Sequence, residues 1–135
     1  RYRRMIEIRV IQPNELKAWW AFVKPGLETI LKKSLEDWIP EDVYAQCFCK
    51  NALLWVFVEE GKPLGFMVLV VRPEAVHVWC LWAAVKNRLE EGSKIFWKTL
   101  EEANIKKVTF ESHRKGWDKI ARQYGFSPRS WVKEL

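Results

Sequence analysis

The chain is 135 residues long, enough for one domain with a real core, and its 49% hydrophobic and 30% charged residues exclude a disordered chain. No apolar run approaches ~20 residues, so no membrane-spanning helix is expected. The formal net charge of +6 draws anionic partners at long range, but it does not separate nucleic acid from a phosphorylated cofactor or an acidic protein.

The opening RYRRM is basic with no apolar stretch behind it, so no secretory signal is read there. Arg1 to Arg4 fit an upstream or non-native extension ahead of a start at Met5. MIEIRVI alternates as a strand does. The next stretch, QPNELKAWWAFVKPGLETILKKS, reads as helix. Asn14 can cap it, and Leu16, Trp19, Trp20, Val23, Leu27 and Ile30 fall at helical spacing. Pro25-Gly26 predicts a break into two pieces. A third short helix is predicted in IPEDVYAQCF, with Pro40 at its first position and Glu41 and Asp42 in its first turn.

ALLWVFVEEGKPLGFMVLVV then gives two strands around a turn at Glu60-Gly61-Lys62-Pro63, with Glu59 and Glu60 read as solvated. A further strand, AVHVWCLWAAV, follows the Arg72-Pro73-Glu74 turn. After it come a helix over Gly92 to Ala103, the strand KKVTFES, the helix GWDKIARQYGF and a terminal strand SWVKEL. The order β-α-α-α-β-β-β-α-β-α-β describes one domain over 1–135 with a mixed α/β sheet, since a doubly wound fold would alternate strictly.

Nine tryptophans predict a tryptophan-rich core. Cys47 and Cys49 lie two apart and Cys80 stands alone in an apolar run, while His77 and His113 show no ligand spacing. No metal site is expected from such a set, and buried reduced thiols suit a cytoplasmic protein.

That order, with the hairpin VFVEEGKPLGFMVLV and the late block ANIKKVTFES…GWDKIARQYGFSP, resembles the GNAT superfamily of acyl-CoA-dependent N-acyltransferases over essentially the whole chain. Gly125-Phe126 stands where family members carry a Gly-Phe pair before the last strands. The chain is also similar to the small divergent GNAT-like proteins of tailed phages, for which a virion-associated location would follow. The resemblance implies that acetyl-CoA lies in a wedge where strands four and five splay apart. The pantetheine arm would run along Leu81, Trp82, Ala83, Ala84 and Val85. The pyrophosphate would meet the loop from Lys86 to Lys94, with Lys86, Arg88, Gly92, Ser93 and Lys94 as its contacts. Free N–H groups and the helix dipole both favour anions at such a helix start.

The family motif, Gln/Arg-x-x-Gly-x-Gly/Ala, fits here in neither register. Arg88 in first place puts Glu91 at the first glycine, and Gly92 as that glycine puts Leu89 in the Gln/Arg slot. Side chains obstruct the close approach of phosphate to the backbone. Glu90 and Glu91 would repel a pyrophosphate, whereas Lys86, Arg88 and Lys94 would attract it. A working cradle, a decayed one and an unrelated connection all stay open.

The catalytic positions depart further. Ala121 holds the place of the family's tyrosine that protonates the departing thiolate, leaving Tyr124 as the nearest substitute, and Arg114 stands where an asparagine is common. His113 and Glu111 lie two apart on the fifth strand, so both would face the wedge mouth, with His113 as general base. The plainer readings are a surface histidine in SHRKG, a core Tyr124 and a hydrogen-bonded sheet histidine at His77. Three functions follow. The first is an N-acetyltransferase moving the acetyl group of acetyl-CoA to an amine. The second is a catalytically degenerate GNAT-shaped part that binds a protein partner or a virion. The third, nucleic-acid binding, lacks any recognised motif.

Overall fold

In the computed structural model, which describes residues 5–34 and 36–110 (Lys86 by its backbone alone), five strands form one sheet in sequence order. β1 (Ile6–Ile11), β2 (Leu53–Glu59), β3 (Lys62–Val71) and β4 (Val76–Ala83) pair antiparallel with their neighbours. β5 (Val108–Phe110) lies parallel to β4. Helices α1 (Leu16–Lys33) and α2 (Pro40–Phe48) separate β1 from β2, and α3 (Leu89–Glu102) carries the chain from β4 to β5. This is the mixed α/β sheet the sequence implies. The helix and strand read beyond KKVTFES fall outside the described residues.

β2 is buried on both faces, which explains its unbroken apolar run. Leu54, Val56 and Val58 pack on the α1–α2 side, and Trp55 and Phe57 on the α3 side. Alternation of side chains across the strand produces this division. The turn from β2 to β3 needs left-handed backbone at both Glu60 (φ 51°) and Gly61 (φ 79°), which suits a two-residue hairpin.

The break expected at Pro25-Gly26 does not occur, so one helix stands where two were read. Proline there removes only the bond to the Ala21 carbonyl. The buried face runs on through it: Val23 and Leu27 are both fully buried, and Gly26 lies tight against the sheet. Tertiary packing outweighs the local defect. Asn14 is not the cap either, because Pro13–Glu15 form a single 3-10 turn ahead of Leu16. Pro40 does open α2, and Asp42 Oδ2 accepts the Ile39 N–H at 2.9 Å.

All seven described tryptophans belong to or pack against the two cores, Trp38 and Trp55 as buried members. Cys47 and Cys80 are buried and free, but Cys49, at the exposed end of α2, is not buried as expected. Burial pushes the Cys47 thiol up to about 11 from the usual 9.0. Cys80 is raised too, by burial first and then by the charges of Glu36 and Cys47. His77 is bonded as read, with Nδ1 2.9 Å from Thr109 Oγ1 on β5.

Candidate active site

Two irregularities shape the end of β4. The register against β3 shifts between Val68 and Leu69, leaving Trp79 as an extra residue on β4. Trp79 and Cys80 therefore both pack on the α1–α2 side, whereas Val78 and Leu81 pack on the α3 side. Such a bulge bends and twists its strand. On β3, Leu64 is likewise extra, opposite the step between Phe57 and Val58. The carbonyl of Leu64 accepts both the Ala84 and Val85 N–H groups, at 2.8 and 3.2 Å. Beside it, a Cβ on Gly65 would meet the Trp82 carbonyl oxygen at 2.5 Å, so only glycine lets the two strands approach this closely.

β4 then turns through one 3-10 turn, Lys86–Arg88, into α3. The helix begins at Leu89, three residues before the expected start at Gly92, and no side chain caps it. The amides of Glu90 and Glu91 precede the first N–H that can bond within the helix, while the 3-10 turn already engages that of Leu89. Gly92 is inside the helix, and a Cβ there would lie 3.6 Å from Phe57, an ordinary contact. That glycine is not sterically required.

Arg88 is the least expected part of this junction. Its Nη2 donates to Glu59 Oε2 at the end of β2, and to Glu91 Oε2 at 2.9 Å. Glu59, read from sequence as solvated, has a side chain only 12% exposed. The Nε of Arg88 is buried without a partner.

Between β4 and the first turns of α3 lies a cavity of about 110 Å³ with almost wholly apolar walls. Seven of the ten residues expected to meet a cofactor line it: Leu81, Trp82, Ala83, Val85, Arg88, Gly92 and Ser93. Phe57, Met67 and Phe96 are among its apolar walls. Ala84 and Lys94 are exposed and do not line it. The two described strands flanking the expected wedge pair at Val76–Val78 with Val108–Phe110. Phe110 also lines the cavity. His113, Tyr124 and Glu111, with Ala121, Arg114 and Gly125-Phe126, lie outside the described residues.

On the opposite face, a polar recess of about 570 Å³ opens beside the α1–α2 connection. Glu36, Asp37 and Asp42 line it together with His77 and Trp79. Among the described residues, no group of three His, Cys, Asp or Glu side chains could hold a metal ion, and no helix is long and apolar enough to cross a membrane.

The junction could hold a ligand with an apolar arm and an anionic head: the arm in the cavity, the head against uncapped amides. Sequence reasoning found its strand and loop through the order of elements. It missed Glu59, the Trp79 bulge and the aromatic walls, because none of these contacts is local in the chain.

No protein-family model matches this chain, and no curated protein does. Solved structures do. An aminoglycoside acetyltransferase from an uncultured soil metagenomic sample, in complex with sisomicin, is 16% identical with a TM-score of 0.67, covering 97% of this chain and 94% of that one. The ribosomal-protein-alanine N-acetyltransferase of Brucella melitensis biovar Abortus 2308 is 17% identical with a TM-score of 0.66, covering 96% and 97%. A predicted acetyltransferase from Clostridium acetobutylicum, solved with acetyl-CoA, is 13% identical with a TM-score of 0.64, covering 97% and 96%. At these identities the likeness is one of architecture, and the fold of this chain is that of the GNAT acetyltransferases.

Proposed function

We propose that this protein is an acetyl-CoA-dependent N-acetyltransferase acting on an amine. The observation that carries the reading is the junction of β4 and α3. There an apolar cavity ends at a helix N-terminus whose amides have no side-chain cap. The residues present fit the group: Leu81 to Val85 would flank the pantetheine arm, and Lys86, Arg88, Gly92, Ser93 and Lys94 would surround the pyrophosphate. Acetyl-CoA would supply the thioester carbonyl that the amine attacks.

The rest is work for this chain's own side chains. His113, helped by Glu111, takes the proton from the attacking amine, and Tyr124 returns one to the departing thiolate, in place of the tyrosine that Ala121 replaces. Histidine's ordinary pKa of about 6.5 suits that exchange near neutral pH. The acidic recess on the opposite face would favour an acceptor that is cationic before it loses its proton. A soluble cytoplasmic setting goes with this reading.

One observation favours the second reading, a GNAT-shaped binding part of the kind tailed phages carry. Arg88, the residue best suited to a phosphate, is already engaged by two carboxylates. Turnover separates the two. Once an amine substrate is found by release of free CoA thiol, His113→Ala and Tyr124→Phe should each cut the rate by ~10²–10⁴ while leaving acetyl-CoA affinity nearly intact. Parent rates in both variants would remove those assignments. Tight acetyl-CoA binding with no amine ever acetylated would favour the binding part.

A further inference from the structure

We infer that Arg88 serves the anion site at second hand: it neutralises Glu59, whose unpaired carboxylate would otherwise repel a phosphate-bearing ligand at the cavity mouth. The identity of that ligand rests on the acyl-CoA reading above; the ion pair does not.

One guanidinium nitrogen of Arg88 reaches both Glu59 and Glu91. The two carboxylates are not equivalent. Glu91 is 54% exposed, so water screens it, whereas Glu59 is 12% exposed and Arg88 24%. An unpaired charge at Glu59 would be poorly hydrated and poorly screened. It would also stand beside the cavity that Arg88 lines, where it would repel any phosphate. For Arg88 to bind phosphate directly it would have to release Glu59, creating that unpaired carboxylate next to the incoming anion. Its buried, unpartnered Nε fits an arginine held in place by carboxylates rather than one presented to solvent. With Arg88 and Glu59 cancelling, attraction for the anion falls to the amides of Glu90 and Glu91 and to the lysines of the loop.

The test is a four-protein cycle in the full chain: unmodified, Arg88→Ala, Glu59→Gln and the double variant. Each is titrated with acetyl-CoA and with S-acetylpantetheine, which carries no phosphate. Arg88→Ala should weaken acetyl-CoA binding about tenfold or more, the size expected when a poorly screened carboxylate is left unpaired beside an anion. Its effect on S-acetylpantetheine should stay within about twofold, because an uncharged ligand does not feel the carboxylate. The double variant should return to within about threefold of the unmodified protein, and Glu59→Gln alone should differ by no more than that. A double variant as weak as Arg88→Ala would show that Arg88 touches the phosphate directly. Glu59→Gln tightening binding by about tenfold or more would show that Glu59 merely competes for it. Equal losses for both ligands would mean the effect is not electrostatic. Any of these overturns the inference. If Arg88→Ala does not fold, Arg88→Gln replaces it. If the unmodified protein binds no acetyl-CoA, the acyl-CoA reading fails, and thermal unfolding still judges the pair. Arg88→Ala should then lower the Tm more than the double variant does, and an equal or larger loss in the double variant overturns the inference.

Discussion

A methyl group at Gly26 of α1 would meet the rings of Phe66 and Trp82 at 2.6 Å, whereas one at Gly92 of α3 would meet Phe57 at 3.6 Å. Both glycines lie in helices over the same sheet, on opposite faces. α1 is pressed against the strands until no Cβ fits. α3 stands off at its first turn, and the space left there is the apolar cavity at the end of β4. The difference separates a glycine needed for packing from one beside an opening. A glycine in the sequence signals neither by itself.

Substitutions should expose that contrast. Gly26→Ala forces two large rings to move, so denaturant unfolding should show a loss of about 1–3 kcal/mol despite alanine's better helix propensity. A loss near zero would mean that α1 is not so tightly seated. The same face holds the buried Cys47, whose thiol is raised from 9.0 to about 11. The folded state binds that proton more tightly, so its contribution is whole below pH 9 and disappears as the pH rises toward 11. Cys80, raised in the same direction, adds to the fall. Stability measured across that window should drop more steeply for the unmodified protein than for a Cys47→Ala, Cys80→Ala variant, by up to about 1.4 kcal/mol per pH unit for each thiol. Equal slopes would contradict the burial of these thiols. The smallest effect belongs to α3: Gly92→Ala should stabilise by about 0.5–1 kcal/mol, since the methyl finds room and the helix gains. A loss instead would mean that α3 packs as tightly as α1.

The same contrast divides what could be read from the sequence. Residues whose signals are local were legible: the alternation of β2, the Glu60-Gly61 turn, Pro40 at the start of α2 and the α3 crossover between parallel strands. Pro25 misled because its local rule is sound, yet Val23, Gly26 and Leu27 seat one continuous face across it. The strand and loop of the candidate site followed from the order of elements. Its chemistry did not, since Glu59 meets Arg88 across 29 positions and nothing near either residue announces the pair. The Trp79 bulge was equally silent, because an apolar run such as VHVWCLW reads the same with or without a slipped register.

Equilibrium titration decides whether the gap beneath the start of α3 receives an acyl-CoA, as proposed above. Acetyl-CoA added to the unmodified protein in a calorimeter should bind saturably at one site per chain. Leu81→Ala, which removes a cavity wall on the α3 side of β4, should weaken that binding about tenfold or more. No heat and no thermal shift at millimolar acetyl-CoA, or saturable binding that Leu81→Ala leaves untouched, would contradict an acyl-CoA site there.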